Sequence, residues 1–359
     1  MNRNILKIII FLPFFAACNN EEAVENSALE GATEMIISQV GFAKTDKFQT
    51  RAGNQGTPTS GSSIGIFLTD ALQTGNYSNR NNCQYTYVDG TKWEAVNEDN
   101  IVSVRLGRPA LLWAVYPYHA NHTEQTKIPL SPCAFSDAED VCYGPGTTTE
   151  EKYCKDGDLT KIFSDDGVTH VPVNFLNMKH AYSWFTFEIK KENYTGAGVI
   201  SHIRVGNIVG HTTMDLTTAT LTADGSITDA TIADATSTTY QAFTLPLATS
   251  LTLPDDGSHI STSPGNGDML LVPCTLTNAG TFGGTTQCGL KVTITADEEE
   301  YFAGIPLKTL ERLEGGKHYT IQLTLQDMNL SDILVVVSEK WKDGQTLPGE
   351  SSDGYYNCN

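Results

Sequence analysis

The feature that most constrains this chain is a two-residue period that recurs along its length. From Tyr319 to Gln326 one side carries Tyr319, Ile321, Leu323 and Leu325, and the other carries Thr320, Gln322, Thr324 and Gln326. Successive side chains of a strand point to opposite faces, so this segment is a strand with one apolar and one wet face. Residues 185–190, 216–222 and 290–296 repeat the alternation, as do Val102, Val104 and Leu106 with Ser103 and Arg105 between them. Residues 85–88 turn at Asp89-Gly90 into Lys92, Trp93 and Glu94, a hairpin whose Asp-Gly tolerates positive φ. Residues 64–68 and 110–118 read as further strands, the second carrying Trp113, Tyr116 and Tyr118. Residues 125–170, with three cysteines and many Asp and Gly, read as a long connection or insertion, and only 307–313 has helical character. Short strands separated by turn signals predict antiparallel β-sandwiches. At 359 residues there is room for two of them, meeting near residue 175.

The amino end carries a different message. Arg3 and Lys7 precede an apolar run, Ile8 to Ala17, of secretory length and too short to span a bilayer. It ends in Phe15-Ala16-Ala17-Cys18, which resembles a bacterial lipobox in which the cysteine thiol is acylated after the leader is removed. Multiple acyl chains give stable anchoring, so the expected precursor is exported and lipid-anchored. An acidic spacer with Glu21, Glu22, Glu25 and Glu30 follows, then an apolar segment with Met35, Ile37, Val40 and Phe42, then a small-residue loop containing Arg51 and Ala52. The chain thus divides into a signal peptide (1–17), a tether plus first strand (18–51), an amino-terminal sandwich (52–174), a carboxy-terminal sandwich (175–345) and a polar tail (346–359).

The formal net charge of −19 repels phosphate backbones and argues against nucleic-acid binding. With Cys18 lipidated, seven cysteines remain, an odd number. Cys274 and Cys288 flank one hairpin-like connection and are the expected disulfide, with a local bridge also plausible among Cys133, Cys142 and Cys154. No C-x-x-C occurs, and no His lies at ligand spacing from a cysteine, so no metal site and no cofactor are expected.

The order of these pieces resembles the fimbrillin family, the subunits and accessory proteins of type V pili. The resemblance rests on the lipobox at Cys18, Thr50-Arg51-Ala52, Ile64-Gly65-Ile66-Phe67, Tyr116-Pro117-Tyr118 and His180-Ala181-Tyr182 with the strand after it. It continues in Gly315-Gly316-Lys317-His318-Tyr319 and in Leu334-Val335-Val336-Val337 followed by Trp341 and Gly344. It implies two tandem transthyretin-like sandwiches, and a lipid-anchored precursor carried to the outer membrane. It further implies that a trypsin-like protease cuts between Arg51 and Ala52, that the first strand is lost, and that a carboxy-terminal strand of another fimbrial subunit fills the gap. Ile333, Leu334, Val335, Val336 and Val337 are the donor-strand candidate.

No Gly-x-Ser-x-Gly, phosphate-binding Gly loop or His-Glu-x-x-His is present, so no enzymatic function is expected. The Asp-Gly runs at 156–158, 165–167 and 255–257 lack the spacing of a calcium loop and read as turns. The competing function is a lipid-anchored module that binds a glycan or another host or bacterial surface ligand without polymerising, with Trp93, Trp113 and Tyr118 as stacking surfaces.

Overall fold

The computed structural model describes residues 32–42 and 60–346, apart from short internal stretches at 73–76, 78–79, 90–91, 137, 149, 166–167, 223–225, 238–240, 283–285, 328 and 339–343. Cys18, Arg51 and Ala52 lie outside the described residues. The protein is all-β, as its alternation predicts, and among the described residues the only helical pieces are three-residue 3-10 turns.

The first half supplies β1 (Ala32–Phe42), β2 (Ser63–Asp70), β3 (Cys83–Asp89), β4 (Lys92–Ala95), β5 (Ser103–Arg105) and β6 (Ala110–Tyr116). It continues through β7 (Ile128–Leu130), β8 (Cys133–Ala134), β9 (Cys142–Pro145), β10 (Cys154–Lys155), β11 (Asp158–Ile162) and β12 (His170–His180). One sheet runs in the order β4-β3-β2-β6-β9-β12-β1-β5, with β10 and β11 attached beside β6. It rolls over so that β1 lies across from β4. Met35, Ile37, Ile64, Ile66, Leu68, Tyr85, Trp93, Val102, Leu112 and Val171 fill the interior.

The second half contains β13 (Ser183–Lys191), β14 (Val199–Gly206), β15 (Thr212–Asp215), β16 (Thr231–Ile232), β17 (Ala242–Thr252), β18 (Ile260–Ser261) and β19 (Met269–Leu271). After these come β20 (Cys274–Thr275), β21 (Thr281–Phe282), β22 (Thr286–Ala296), β23 (Glu299–Pro306), β24 (Arg312–Leu313), β25 (His318–Gln326), β26 (Asn329–Ser338) and β27 (Gly344–Thr346). The order β27-β26-β25-β13-β19-β8 forms one sheet and β17-β14-β22-β21 another, with β23 beside β22. Their inner faces share a core of Phe185, Phe187, Ile189, Ile203, Val205, Leu290, Val292, Ile294, Ile321, Leu323 and Leu325.

The alternation of β2 and β6 couples the two cores. Ile64, Ile66, Leu68, Leu112 and Ala114 face the first core. Phe67, Trp113 and Val115 point the other way and join the second. Both faces of this pair are therefore dry, which is why 64–68 reads as a continuous apolar run rather than as an alternating one.

The expected elements need correction in three places. Residues 125–170 are not a plain connection. The segment holds β7 through β11, with β9 inside the first sheet, while β7 pairs β15 and β8 pairs β19 of the second half. Residues 216–222 form no strand, because the Asp215 side chain accepts from Thr217 N at 2.9 Å and caps a 3-10 turn at Leu216–Thr218. The helical character of 307–313 reduces to one turn on Pro306 O, which accepts from Thr309 N and Leu310 N. Arg312 and Leu313 then pair with Thr275 and Cys274.

The expected Cys274–Cys288 bridge does not form. Cys274 in β20 is a buried thiol, whereas Cys288 lies in β22 opposite Pro306, on a different sheet. Cys133, Cys142 and Cys154 are likewise thiols, set on three separate strands, so no local bridge joins them. Burial pushes the Cys274 thiol up to about 11 and that of Cys133 to about 12, which keeps both protonated and slow to react.

Candidate functional site

The site with the clearest physical character is the seat of β1. This strand runs parallel to β12, with Met35 opposite Val171, Ile37 opposite Val173 and Val40 opposite Phe175. Its other edge makes only a three-residue antiparallel pairing with β5, Ala32 to Glu34 against Arg105 to Ser103. Two register shifts, after Ile37 and after Val40, break the ladder with β12. Met35 N donates to Val102 O at 3.0 Å, Ser38 Oγ donates to Val173 O at 3.2 Å, and the Thr33 and Ser164 hydroxyls pair at 2.7 Å.

The side chains sort by the strand period. Met35 and Ile37 are 1% exposed and Val40 is buried, whereas Ile36 is 41% exposed and Glu34 faces water. Phe42, expected to join the apolar set, has a side chain outside the described residues. Its buried face shares one core with Tyr85 and Trp93, against which Ala95 packs. Tyr85 OH accepts from Val102 N at 3.0 Å, and burial pushes its phenol up to about 12. Each of the three apolar anchors contributes roughly 1.5–3 kcal/mol of burial. Withdrawing β1 would expose that apolar face and the ladder of β12 at the same time.

The donor-strand candidate lies in the second half of the chain, between β25 and β27. Ile333 to Val337 lie in β26, with Tyr319 opposite Val337, Ile321 opposite Val335 and Gln322 opposite Leu334. Val335 is buried, and Ile333 and Val337 pack against the second core. Beyond β26 the sheet is closed by the three residues of β27. Trp93 and Trp113 are 4% and 5% exposed, which removes them as stacking surfaces for a ligand. Of the Asp-Gly turns, that at 156–158 carries positive φ at Asp156 and Gly157, and Asp158 accepts from Thr160. At 255–257, Asp256 accepts from Ser258 N at 2.9 Å.

The motif pieces at 180–185 and 315–319 converge because β13 and β25 are parallel neighbours. Trp184 pairs with His318 and Phe185 with Tyr319. The Trp184 and His318 rings stack at 4.1 Å, and Thr186 Oγ1 lies 2.9 Å from His318 Nε2. Gly315 passes against the carbonyls of Ala181 and His180, which an added Cβ would meet at 3.1 and 3.2 Å. One cluster escaped sequence reading altogether. Asp140, Cys142 and His180 meet in the interior, where His180 Nδ1 is 2.9 Å from Asp140 Oδ2 and 3.2 Å from Cys142 Sγ. Their spacings of two and thirty-eight residues match no ligand motif, and only the β9–β12 pairing brings them together.

The solved structures this chain resembles include a candidate cell adhesion protein of Bacteroides ovatus, at 15% identity and a TM-score of 0.53, covering 89% of this chain and 100% of that one. A second, from Bacteroides uniformis, shows 14% identity and a TM-score of 0.48 over 86% and 98% of the two chains. The C-terminally truncated tip fimbrial protein Mfa3 of Porphyromonas gingivalis gives 8% identity and a TM-score of 0.40 over 85% and 99%. No curated protein matches the chain significantly. The likeness to the first of these extends to the all-β fold, built of several mainly antiparallel sheets. The chain belongs to the fimbrillin-like family, which matches residues 50–341.

Proposed function

We propose that this chain is a cell-surface fimbrial subunit or accessory protein, exported as a lipoprotein through Cys18 and matured by cleavage between Arg51 and Ala52. Cleavage frees β1, which then has no covalent tie to the rest of the chain. The emptied seat between β12 and β5 accepts a strand from another subunit. Main-chain hydrogen bonds supply affinity, and pockets for alternate side chains supply register. A head-to-tail contact of this kind does not close on itself and extends into a fibre.

The observation that carries this reading is the character of β1. It fills a dry seat with three apolar anchors, yet pairs with β5 through only three residues. Residues 43–62 separate it from the next strand, and they contain Arg51 within a run of small residues, the kind of segment proteases enter. The donor in this scheme is Ile333 to Val337. Truncation after Trp341 removes β27 and the tail but keeps β26. Assembly that survives the cut keeps the donor role with β26, and assembly that is lost assigns it to the segment beyond.

The deciding experiment is mass spectrometry of the mature amino terminus from the surface of intact cells. Ala52 as the first residue is the expected result. A lipidated Cys18 retained on the mature chain overturns strand exchange and leaves a moored surface protein. In that case glycan-array binding by the monomer becomes the test of the ligand-binding alternative.

A further inference from the structure

We infer that Asp140, Cys142 and His180 supply three protein ligands to a site for a divalent cation of the zinc class, which joins the two halves of the molecule at their seam. The ligand atoms lie within 4.8 Å of one another, and all three residues are buried. Around a tetrahedral zinc, nitrogen, oxygen and sulfur ligands sit about 3.3–3.6 Å apart, given the usual bond lengths. The 2.9 and 3.2 Å separations from His180 Nδ1 open by a few tenths of an ångström on binding, and Asp140 and Cys142, whose ligand atoms lie within 4.8 Å of each other, close around the ion.

Charge points the same way. Binding would release the Cys142 thiol proton, and the resulting thiolate, carboxylate and neutral imidazole would carry −2, which a divalent cation balances. Without a cation, Asp140 Oδ2 meets His180 Nδ1 at 2.9 Å, but the buried Oδ1 lacks a hydrogen-bond partner among the described residues, which costs free energy. The donor set excludes calcium and magnesium, which take oxygen ligands. It also excludes a nucleophilic triad. There the carboxylate and the nucleophile address opposite nitrogens of the imidazole, whereas here both meet Nδ1, and Cys142 is fully buried.

The location gives the ion its purpose. Cys142 opens β9 and His180 closes β12, and the two residues face each other in register. Cys142 and Met178 belong to the first core, while Val141, Tyr143, Ala181 and Tyr182 belong to the second. A bound ion would tie this crossing point from both strands. The site stands independently of the fimbrial reading, since it concerns the stability of the folded chain.

The test is to refold the full chain from denaturant with zinc, remove excess by gel filtration and measure retained metal, with cobalt in a parallel sample. One equivalent of zinc per chain and a thiolate-to-cobalt charge-transfer band are expected, with a melting temperature above that of the chelator-treated protein. Cys142→Ser and Asp140→Asn should each weaken retention by about 100-fold or more, a ligand mattering at least as much as its outer partners. Cys274→Ser, which changes a buried thiol elsewhere, should leave it unchanged. Should Cys142→Ser fail to fold, Asp140→Asn and the wild-type cobalt spectrum carry the test. Sub-stoichiometric zinc with no thiolate band, or retention unaffected by both ligand substitutions, overturns the site.

Discussion

β1 and β13 hold matching places in the two halves. Each is the strand of its half that runs parallel to a later one, β1 with β12 and β13 with β25. Their surroundings differ. β13 pairs with β25 over eight consecutive residues and with β19 and β18 on its other edge, and both its faces are dry through Phe187. β1 has broken register with β12, a short pairing with β5 and one wet face. Seven residues, 192–198, lead from β13 to β14, whereas twenty, 43–62, lead from β1 to β2. One topology thus serves two ends, a strand built in and a strand that can be exchanged.

The largest expected effect separates them by deletion. A chain that begins at Ala52 should keep its far-ultraviolet β signal and melt cooperatively at a lower temperature. A synthetic peptide of residues 32–42 should bind it and restore the melting temperature. Removal of 183–191 should abolish cooperative melting. If the chain from Ala52 also fails to fold, β1 is as integral as β13 and the contrast is lost.

Point substitutions sharpen the same contrast. Phe187→Ala empties a fully buried site and should cost about 3–5 kcal/mol in urea denaturation, whether or not β1 is attached. Ile37→Ala should cost about 2–5 kcal/mol in the uncut chain. Its counterpart in the 32–42 peptide should bind the chain from Ala52 correspondingly less tightly. A cost for Ile37→Ala below 0.5 kcal/mol would mean that the seat contributes little, whatever its burial.

How much of this was legible depends on whether chemistry or pairing carried it. Strands with one wet face, such as β25 and β22, announced themselves by alternation. β2 was visible as an apolar run, but its second dry face came from Phe67 meeting a core assembled more than a hundred residues later. β9, reading Cys-Tyr-Gly-Pro, has no strand signature, and its place is set by β6 and β12 on either side. The apolar face of β1 was readable in Met35, Ile37 and Val40, while its neighbours were not, because parallel pairing between residues 34 and 170 leaves no local trace. For the same reason the Asp140, Cys142 and His180 cluster was invisible, and Cys274 and Cys288 looked closer than their separate sheets allow.

A smaller effect tests the crossover between the halves, which has no counterpart in the second. His122 precedes β7, is 3% exposed and has Nδ1 without a partner among the described residues. Burial, assisted by nearby His119, pushes its pKa down to about 4 from the usual 6.5. Between those values the unfolded chain holds a proton that the folded chain lacks. Stability should therefore fall as pH drops through 6.5 and continue falling to about 4. His122→Asn should flatten that limb in urea midpoints measured from pH 7 to 4. An unchanged slope would place the acid sensitivity elsewhere.

The smallest expected effect is the most exacting check on β1 itself. Ile36 lies between two buried anchors and is 41% exposed, so Ile36→Ser should change stability by no more than about 0.5 kcal/mol. Phe187→Ala and Ile36→Ser then bracket the difference between a strand with two dry faces and one with a single dry face. A loss above 1 kcal/mol for Ile36→Ser would mean that the outer face of β1 is also covered in solution. β1 would then be held from both sides, as β13 is. Exchange would require breaking two apolar contacts together, and the seat would no longer differ in kind from its counterpart in the second half.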